Sequence, residues 1–116
     1  KPMEFGKETP LIEMPISWSL DDFPHFEFLR LANSVTPGLM NASGVLENWL
    51  NDFEYMKQTC EWGILTYTCH PYVIGRGHRM MMLEKLIEGL LEKGATFQTM
   101  EDAAIAWKAR QQRIQS

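Results

Sequence analysis

Three stretches of the chain place apolar residues three and four positions apart, the spacing of one face of an α-helix. The first covers 44–59, the second covers 78–93, and the third begins at Thr99. Gly94 follows the second stretch directly, at a position where a left-handed residue commonly ends a helix. Thr99 and Asp102 have the spacing of a variant capping box. The pattern therefore predicts three amphipathic helices.

Short stretches rich in aromatic and β-branched residues separate these helices and are typical of strands. They cover 11–17, 62–69 and 95–98. A proline at the start of 24–32 suits the first turn of a short helix, and 33–43 is expected to be a loop. Strands that alternate with helices indicate an α/β fold with parallel strands. Three strands are few for a parallel sheet covered on both faces, so the pattern predicts part of a larger sheet or barrel.

Composition and charge narrow the possible partners. The 116 residues carry a formal net charge of −4, which argues against nucleic acid because phosphate binding requires clustered Lys and Arg. No apolar run approaches the ~20 residues that cross a bilayer, so no membrane association is expected. Two cysteines are too few for a disulfide framework, and we expect a reducing, cytoplasmic location. Cys69 is expected to be a small buried residue of its strand.

His70 is the leading candidate for chemistry. It follows the predicted strand 62–69 and precedes Pro71, and Gly75-Arg76-Gly77 comes shortly after. Polar groups just beyond the carboxyl end of a strand face the ligand crevice of an α/β fold, and a histidine there can act as a general acid or base. Arg76 is a candidate contact for a carboxylate or amide oxygen. The alternative is a structural histidine bonded to a backbone carbonyl.

Asp21 and Asp22 form a second candidate site, also just after a predicted strand. An aspartate ahead of a helix commonly caps it, which accounts for one of the two. The other is free to orient a histidine. If both strand ends lie on the same rim, Asp22 and His70 could meet.

A metal site built from this chain alone is not expected. The sequence contains no HxxxH or CxxC spacing. Cys69 and His70 are adjacent on a predicted strand and would point to opposite faces. A stand-alone zinc protein is therefore the weakest of the alternatives, and we expect no metal ligands here.

Two segments resemble the polysaccharide deacetylases, which have the NodB-homology fold. Residues 65–110, which contain the HPYVIGRGHR stretch, resemble the C-terminal end of that family. Residues 14–28 (MPISWSLDDFPHFEF) resemble the preceding motif. The similarity is strongest to the branch that includes the Helicobacter-type peptidoglycan deacetylases and allantoinase-like proteins.

The resemblance implies a partial (β/α) barrel of the NodB-homology type, made of its last two or three βα units. Residues 1–116 would be the C-terminal portion of one catalytic domain. In this family a divalent metal, commonly zinc, activates the water that attacks an acetamide, and a histidine protonates the leaving amine. His70 matches that histidine, and Asp22, or else Asp21, matches the aspartate that tunes it. The TFDD-like and HxxxHP segments that supply the family's base and metal ligands do not occur in this sequence.

The resemblance therefore implies that this chain is the C-terminal part of a metal-dependent hydrolase of C–N bonds, with a glycan or a small molecule as substrate. The chain alone is expected to be inactive and to bind no metal. Its partner would be the missing N-terminal half, with homo-oligomers also expected. Trp18, Phe23 and Tyr72 are candidates for the pocket wall. The alternatives are an allantoinase-like or cyclic imide hydrolase of the same fold, and a non-catalytic α/β interaction module.

Overall fold

Two long helices pack against each other in the computed structural model, which describes residues 5–116. Helix α2 covers Ala42–Thr59, and helix α4 covers Gly77–Glu92. They approach closely at Gly89, where a Cβ atom would lie 2.9 Å from a methyl group of Leu50. Gly94 follows α4 with φ +88°, so the predicted left-handed end of this helix is confirmed.

The three predicted amphipathic helices agree with the structure to within about two residues. Helix α2 begins earlier than expected because the Asn41 side chain caps it, accepting a hydrogen bond from the Ser43 amide at 2.9 Å. The last helix, α5, covers Met100–Gln115. The Thr99 side chain caps it by accepting a hydrogen bond from the Asp102 amide at 3.1 Å, as the spacing predicted.

Two short helices carry the candidate residues. Helix α1 covers Asp22–Phe26 and follows a 3-10 turn at Trp18–Leu20. Helix α3 covers Pro71–Ile74. Helix α3 was not among the predicted elements. Pro71 stands at its first helical position, which the fixed φ of proline favours.

The predicted helix over 24–32 is wrong beyond Phe26. The chain takes an extended conformation at Glu27 and then forms an antiparallel hairpin, with β1 at Leu29–Leu31 and β2 at Ser34–Thr36. Leu31 pairs with Ser34, so the connection is a two-residue loop. Every residue of both strands is exposed, and the proline that suggested a helix favours only its first turn.

The three predicted strands do not form strand ladders in the described part of the chain. Residues 11–17, 62–69 and 95–98 are irregular there, apart from one parallel bridge between Asp21 and Thr68. A strand is defined by hydrogen bonds to a neighbour, and β-branched composition alone does not provide one. The sheet observed is the two-stranded hairpin, and the partial barrel stays a prediction.

A single core joins the 3-10 turn to helices α1 to α4. Its buried members are Leu20, Phe26, Val45, Trp49, Val73, Ile74, Met82, Leu86 and Leu90. The Ser19 carbonyl at the edge of this core accepts hydrogen bonds from Trp49 Nε1 at 2.8 Å and from His25 Nε2 at 2.7 Å. Helix α2 therefore fixes the turn that leads into Asp21 and Asp22.

The chain is more open than a closed domain of its length. Its radius of gyration is 17.6 Å, whereas a compact chain of this length has about 13 Å. Its accessible surface is 9238 Å², against about 6,500 Å² for a typical monomer of this mass. Many large apolar side chains are exposed, and Phe97 and Ile105 are each more than half exposed. Among the described residues, no helix has both the length and the hydropathy to cross a bilayer.

Neighbouring methionines on α4 test the packing. Met82 is 3% exposed and belongs to the core, whereas Met81 is 60% exposed. We expect Met82→Ala to lower the free energy of unfolding by about 2–5 kcal/mol because it leaves a cavity. Met81→Ala should change it by about 0.5 kcal/mol or less. Urea unfolding of both variants beside the unsubstituted protein measures the difference, and equal losses would contradict this packing.

Candidate active site

Asp21 and Asp22, at the start of α1, make different hydrogen bonds. Asp21 caps the helix, because its Oδ1 atom accepts a hydrogen bond from the Phe23 amide at 2.9 Å. Asp22 is fully buried and accepts two hydrogen bonds from His70, at Oδ1 from the ring Nδ1 (2.7 Å) and at Oδ2 from the backbone amide (2.8 Å). The structure thus brings Asp22 and His70 together across 48 residues of sequence.

Backbone hydrogen bonds hold the two segments side by side. The Asp22 amide donates to the Thr68 carbonyl at 3.0 Å, and the Thr68 amide donates to the Leu20 carbonyl at 2.9 Å. These two bonds form the parallel bridge, which places the residues before His70 along the residues before α1. His70 then occupies the residue position directly before α3, and its side chain makes no capping hydrogen bond.

The electrostatics of the site favour a protonated His70. The hydrogen bond to Asp22 raises the pKa of His70 above its ordinary value of 6.5, and the charges of Asp22 and Asp21 act in the same direction. Burial opposes this shift. The His70 side chain keeps 37% of its surface exposed. Because Nδ1 is bonded to Asp22, Nε2 is the ring nitrogen that can exchange a proton with a ligand.

Aromatic side chains flank His70 on two sides. The Phe23 ring lies edge-on with its centroid 6.2 Å from that of the His70 ring, and the Tyr72 ring lies at 5.8 Å. Phe23 is partly buried and Tyr72 is 67% exposed. These two predicted wall residues therefore adjoin His70, and their role toward a substrate stays a prediction.

The other two predicted substrate contacts are not brought to His70 by any interaction among residues 5–116. Trp18 lies on the 3-10 turn and is 64% exposed. Arg76 is exposed at the start of α4, and its side chain makes no hydrogen bond or ion pair within the described residues. Their assignment to substrate binding remains a prediction.

Cys69 is not the buried residue that its predicted strand suggested. The residue is exposed, because the segment lacks the sheet that would have covered it. Partial desolvation of the thiol and the nearby charges of Asp22 and Asp21 raise the pKa of Cys69 to about 11. The thiol is therefore protonated at neutral pH and is a poor nucleophile.

The three donors of the site could be considered as ligands for a cation. Oxygen and nitrogen atoms of Asp21, Asp22 and His70 lie within 4.8 Å of one another. Two ligands on a tetrahedral zinc ion lie roughly 3.3 Å apart, whereas Asp22 Oδ1 and His70 Nδ1 are 2.7 Å apart with a proton between them. Asp21 is also engaged as a helix cap. The arrangement fits a hydrogen-bonded pair better than a metal centre.

Arg79 is a residue near this site that the sequence analysis missed. It is 4% exposed and donates hydrogen bonds to the carbonyl oxygens of Val73 (2.8 Å) and Phe26 (3.3 Å). The sequence spacing could have indicated its burial, because Arg79 precedes buried Met82 and Leu86 by three and seven residues on the same helix. An arginine in an apolar stripe indicates a buried polar partner.

The apolar clefts of the described chain lie away from His70. One of about 650 Å³ is bounded by α2, by 94–100 and by α5. Another of about 250 Å³ lies between 12–17, 62–66 and Trp107. Neither is lined by Asp22 or His70, so cavity size does not locate the chemistry here.

Replacement of the buried carboxylate tests the pair. Asp22→Asn removes the largest cause of the raised pKa of His70 and leaves the opposing effect of burial, so the pKa should fall. The raised pKa stabilises the folded protein fully below about pH 6.5, and this stabilisation is lost as the pH rises through the pKa of His70 in the folded state. The free energy of unfolding of the variant should therefore depend less on pH in this range. NMR titration of His70 measures the pKa, with Asp52→Asn on α2 as the control. An unchanged pKa in Asp22→Asn would show that Asp22 does not carry the interaction.

Comparison with known proteins gives one relative with a similar sequence. A peptidoglycan deacetylase of Helicobacter pylori is 33% identical over 89 residues, which cover 76% of this chain and 30% of the relative. No family model and no solved structure matches the chain. The chain thus spans less than a third of the relative's length. The similarity supports a polysaccharide deacetylase family for this chain.

Proposed function

We propose that this chain is the C-terminal portion of a metal-dependent hydrolase of non-peptide C–N bonds, of the carbohydrate N-deacetylase type, with His70 as its general acid. The observation that carries the proposal is the 2.7 Å hydrogen bond between His70 Nδ1 and the fully buried Asp22. A buried carboxylate behind a partly exposed imidazole is the arrangement that fixes a histidine for proton transfer. The similarity to a peptidoglycan deacetylase supports an N-acetylated glycan as the substrate class.

The residues of this chain would act at the departure of the amine. With Nδ1–H donated to Asp22, His70 holds a second proton on Nε2 in its charged form. Transfer of that proton to the leaving nitrogen, as the C–N bond breaks, releases a neutral amine and leaves a neutral imidazole. The raised pKa of His70 increases the share of the acid form relative to an ordinary histidine. Asp22 stabilises the imidazolium before the transfer.

A divalent metal, when bound in such enzymes, supplies an activated water. The described residues do not offer a set that fits this ion, because both oxygens of Asp22 accept hydrogen bonds from His70. We therefore assign the metal ligands and the general base to the part of the protein outside this chain. His70 and Asp22 act on the proton and not on the ion.

The partner proposed for this chain is the N-terminal part of the same catalytic domain. The surface exceeds that of a typical closed monomer by roughly 2,700 Å², which is large compared with the ~800 Å² that each partner buries in a standard interface. Exposed apolar residues and backbone without strand partners along 62–67 and 96–98 are consistent with strands that lack their neighbours. Partial barrel architecture and self-association are both compatible with this surface.

A second candidate function is a non-catalytic interaction module. The exposed hairpin favours it, because Leu31 and Val35 are each more than half exposed on its strands. A module of this kind would bind another chain without using His70.

The allantoinase-like and cyclic imide alternatives share the His70 chemistry, and assays with a cyclic ureide and an N-acetylated glycan separate them from the glycan deacetylase. A cytoplasmic location also stays a prediction.

Replacement of the proposed acid tests the function in the full-length polypeptide. We expect His70→Ala to lower kcat on an N-acetylated glycan by about 10²- to 10⁴-fold, because the leaving amine loses its proton donor. Metal content measured on the same samples should not change. His78→Ala, an exposed histidine on α4, is the control and should retain full activity.

Two outcomes would contradict the proposal. Retained kcat in His70→Ala would favour the interaction module. Loss of the metal together with activity would make His70 a ligand.

A further inference from the structure

Arg79 places a guanidinium group inside the core beside the two short helices of the site. It lies in the first turn of α4 and is 4% exposed. Its Cζ atom lies 4.7 Å from the centre of the Phe26 ring, which is itself fully buried. Removal of a charged group from water is costly unless nearby groups compensate it.

The compensation comes from the ends of α1 and α3. Nη1 donates to the Val73 carbonyl of α3 at 2.8 Å, and Nη2 donates to the Phe26 carbonyl at the end of α1 at 3.3 Å. Nη1 also lies 3.7 Å from the carboxylate of Glu27, which follows α1. Carbonyl groups in the last turn of a helix lack intrahelical donors, so they are available acceptors. One side chain therefore joins two helices that are 45 residues apart in sequence.

The same two helices hold the Asp22–His70 pair at their other ends. Asp22 is the first residue of α1, and His70 directly precedes the first residue of α3. With five and four residues, each helix is about one turn long, so its two ends are only ~6 Å apart. A shift of one helix against the other at the Arg79 end would be transmitted to the 2.7 Å hydrogen bond.

Stability alone does not account for an arginine at this position. Its Nε atom is buried and has no hydrogen-bond partner among the described residues, which is a cost. Replacement of a buried charge by an apolar side chain of similar volume is often neutral or stabilising. The two-carbonyl contact, in contrast, requires the planar fork that only arginine provides.

We propose that Arg79 is a positioning residue that holds α1 against α3 so that Asp22 stays bonded to His70. The inference rests on the proposed function only where catalysis is the readout. Arg79 acts through the two helices and touches neither the substrate nor the reacting atoms. This role differs from that of Arg76, which is exposed and was considered as a substrate contact.

The test is Arg79→Met in the full-length polypeptide. We expect a folded variant in which the NMR resonance of the His70 Nδ1 proton, protected from solvent exchange by Asp22, broadens or disappears. Because misplacement of a catalytic group by about 1 Å can cost 10²-fold, kcat should fall about 10- to 100-fold. KM should stay within about twofold, since substrate binding is not altered. Lys85→Met, which removes an exposed charge from the same helix, should change neither readout.

Arg79→Lys is the second variant and decides the question if Arg79→Met does not fold. Lysine keeps the charge but cannot reach both carbonyls with a planar fork, so we expect a smaller loss of the proton resonance and of kcat. An unchanged Nδ1 proton resonance and unchanged kcat in a folded Arg79 variant would overturn the proposal. The NMR readout needs no catalysis. If His70→Ala retains activity while Arg79→Met loses the resonance, the proposed function fails and the positioning role stands.

Discussion

The two hydrogen bonds that Asp22 accepts from His70 are the constraint on which the site depends. A carboxylate with no exposed surface requires partners for both oxygens, and His70 supplies them from its ring and its backbone amide. The ring contact alone would orient a side chain, but the backbone contact also fixes the chain at the start of α3. The parallel bridge to Thr68 and the Arg79 contacts then secure the same two segments from either side.

The sequence predicted the helices of this protein well because their signals are local. Apolar spacing marks α2 and α4, and Thr99 with Asp102 marks the start of α5. Gly94 marks the end of α4 for the same reason, since only a left-handed residue suits that position. The hairpin was missed because its strands face solvent on both sides and give no burial pattern to detect. The extended segments were assigned as strands on composition, which does not reveal whether a pairing partner exists.

The local features of the candidate site could likewise be predicted from the sequence, whereas its long-range contacts could not. Composition and position singled out Asp21, Asp22 and His70, and the role of one aspartate as a cap follows from local geometry. The contact between Asp22 and His70 depends on how segments 48 residues apart are placed, which no local pattern contains. Arg79 was overlooked because an arginine at the start of a helix is usually solvated, and only its spacing from Met82 indicates burial.

Trp49, which donates a hydrogen bond to the Ser19 carbonyl, is also an intrinsic fluorescence probe of this part of the fold. Trp49 is fully buried, whereas Trp18, Trp62 and Trp107 are each exposed by 39% or more. An indole in a dry environment emits at shorter wavelength than one in water, so the blue edge of the emission belongs to Trp49. Its acceptor lies two residues before Asp21. A change in that part of the spectrum therefore follows the turn that presents the acidic pair, without any label attached to the protein.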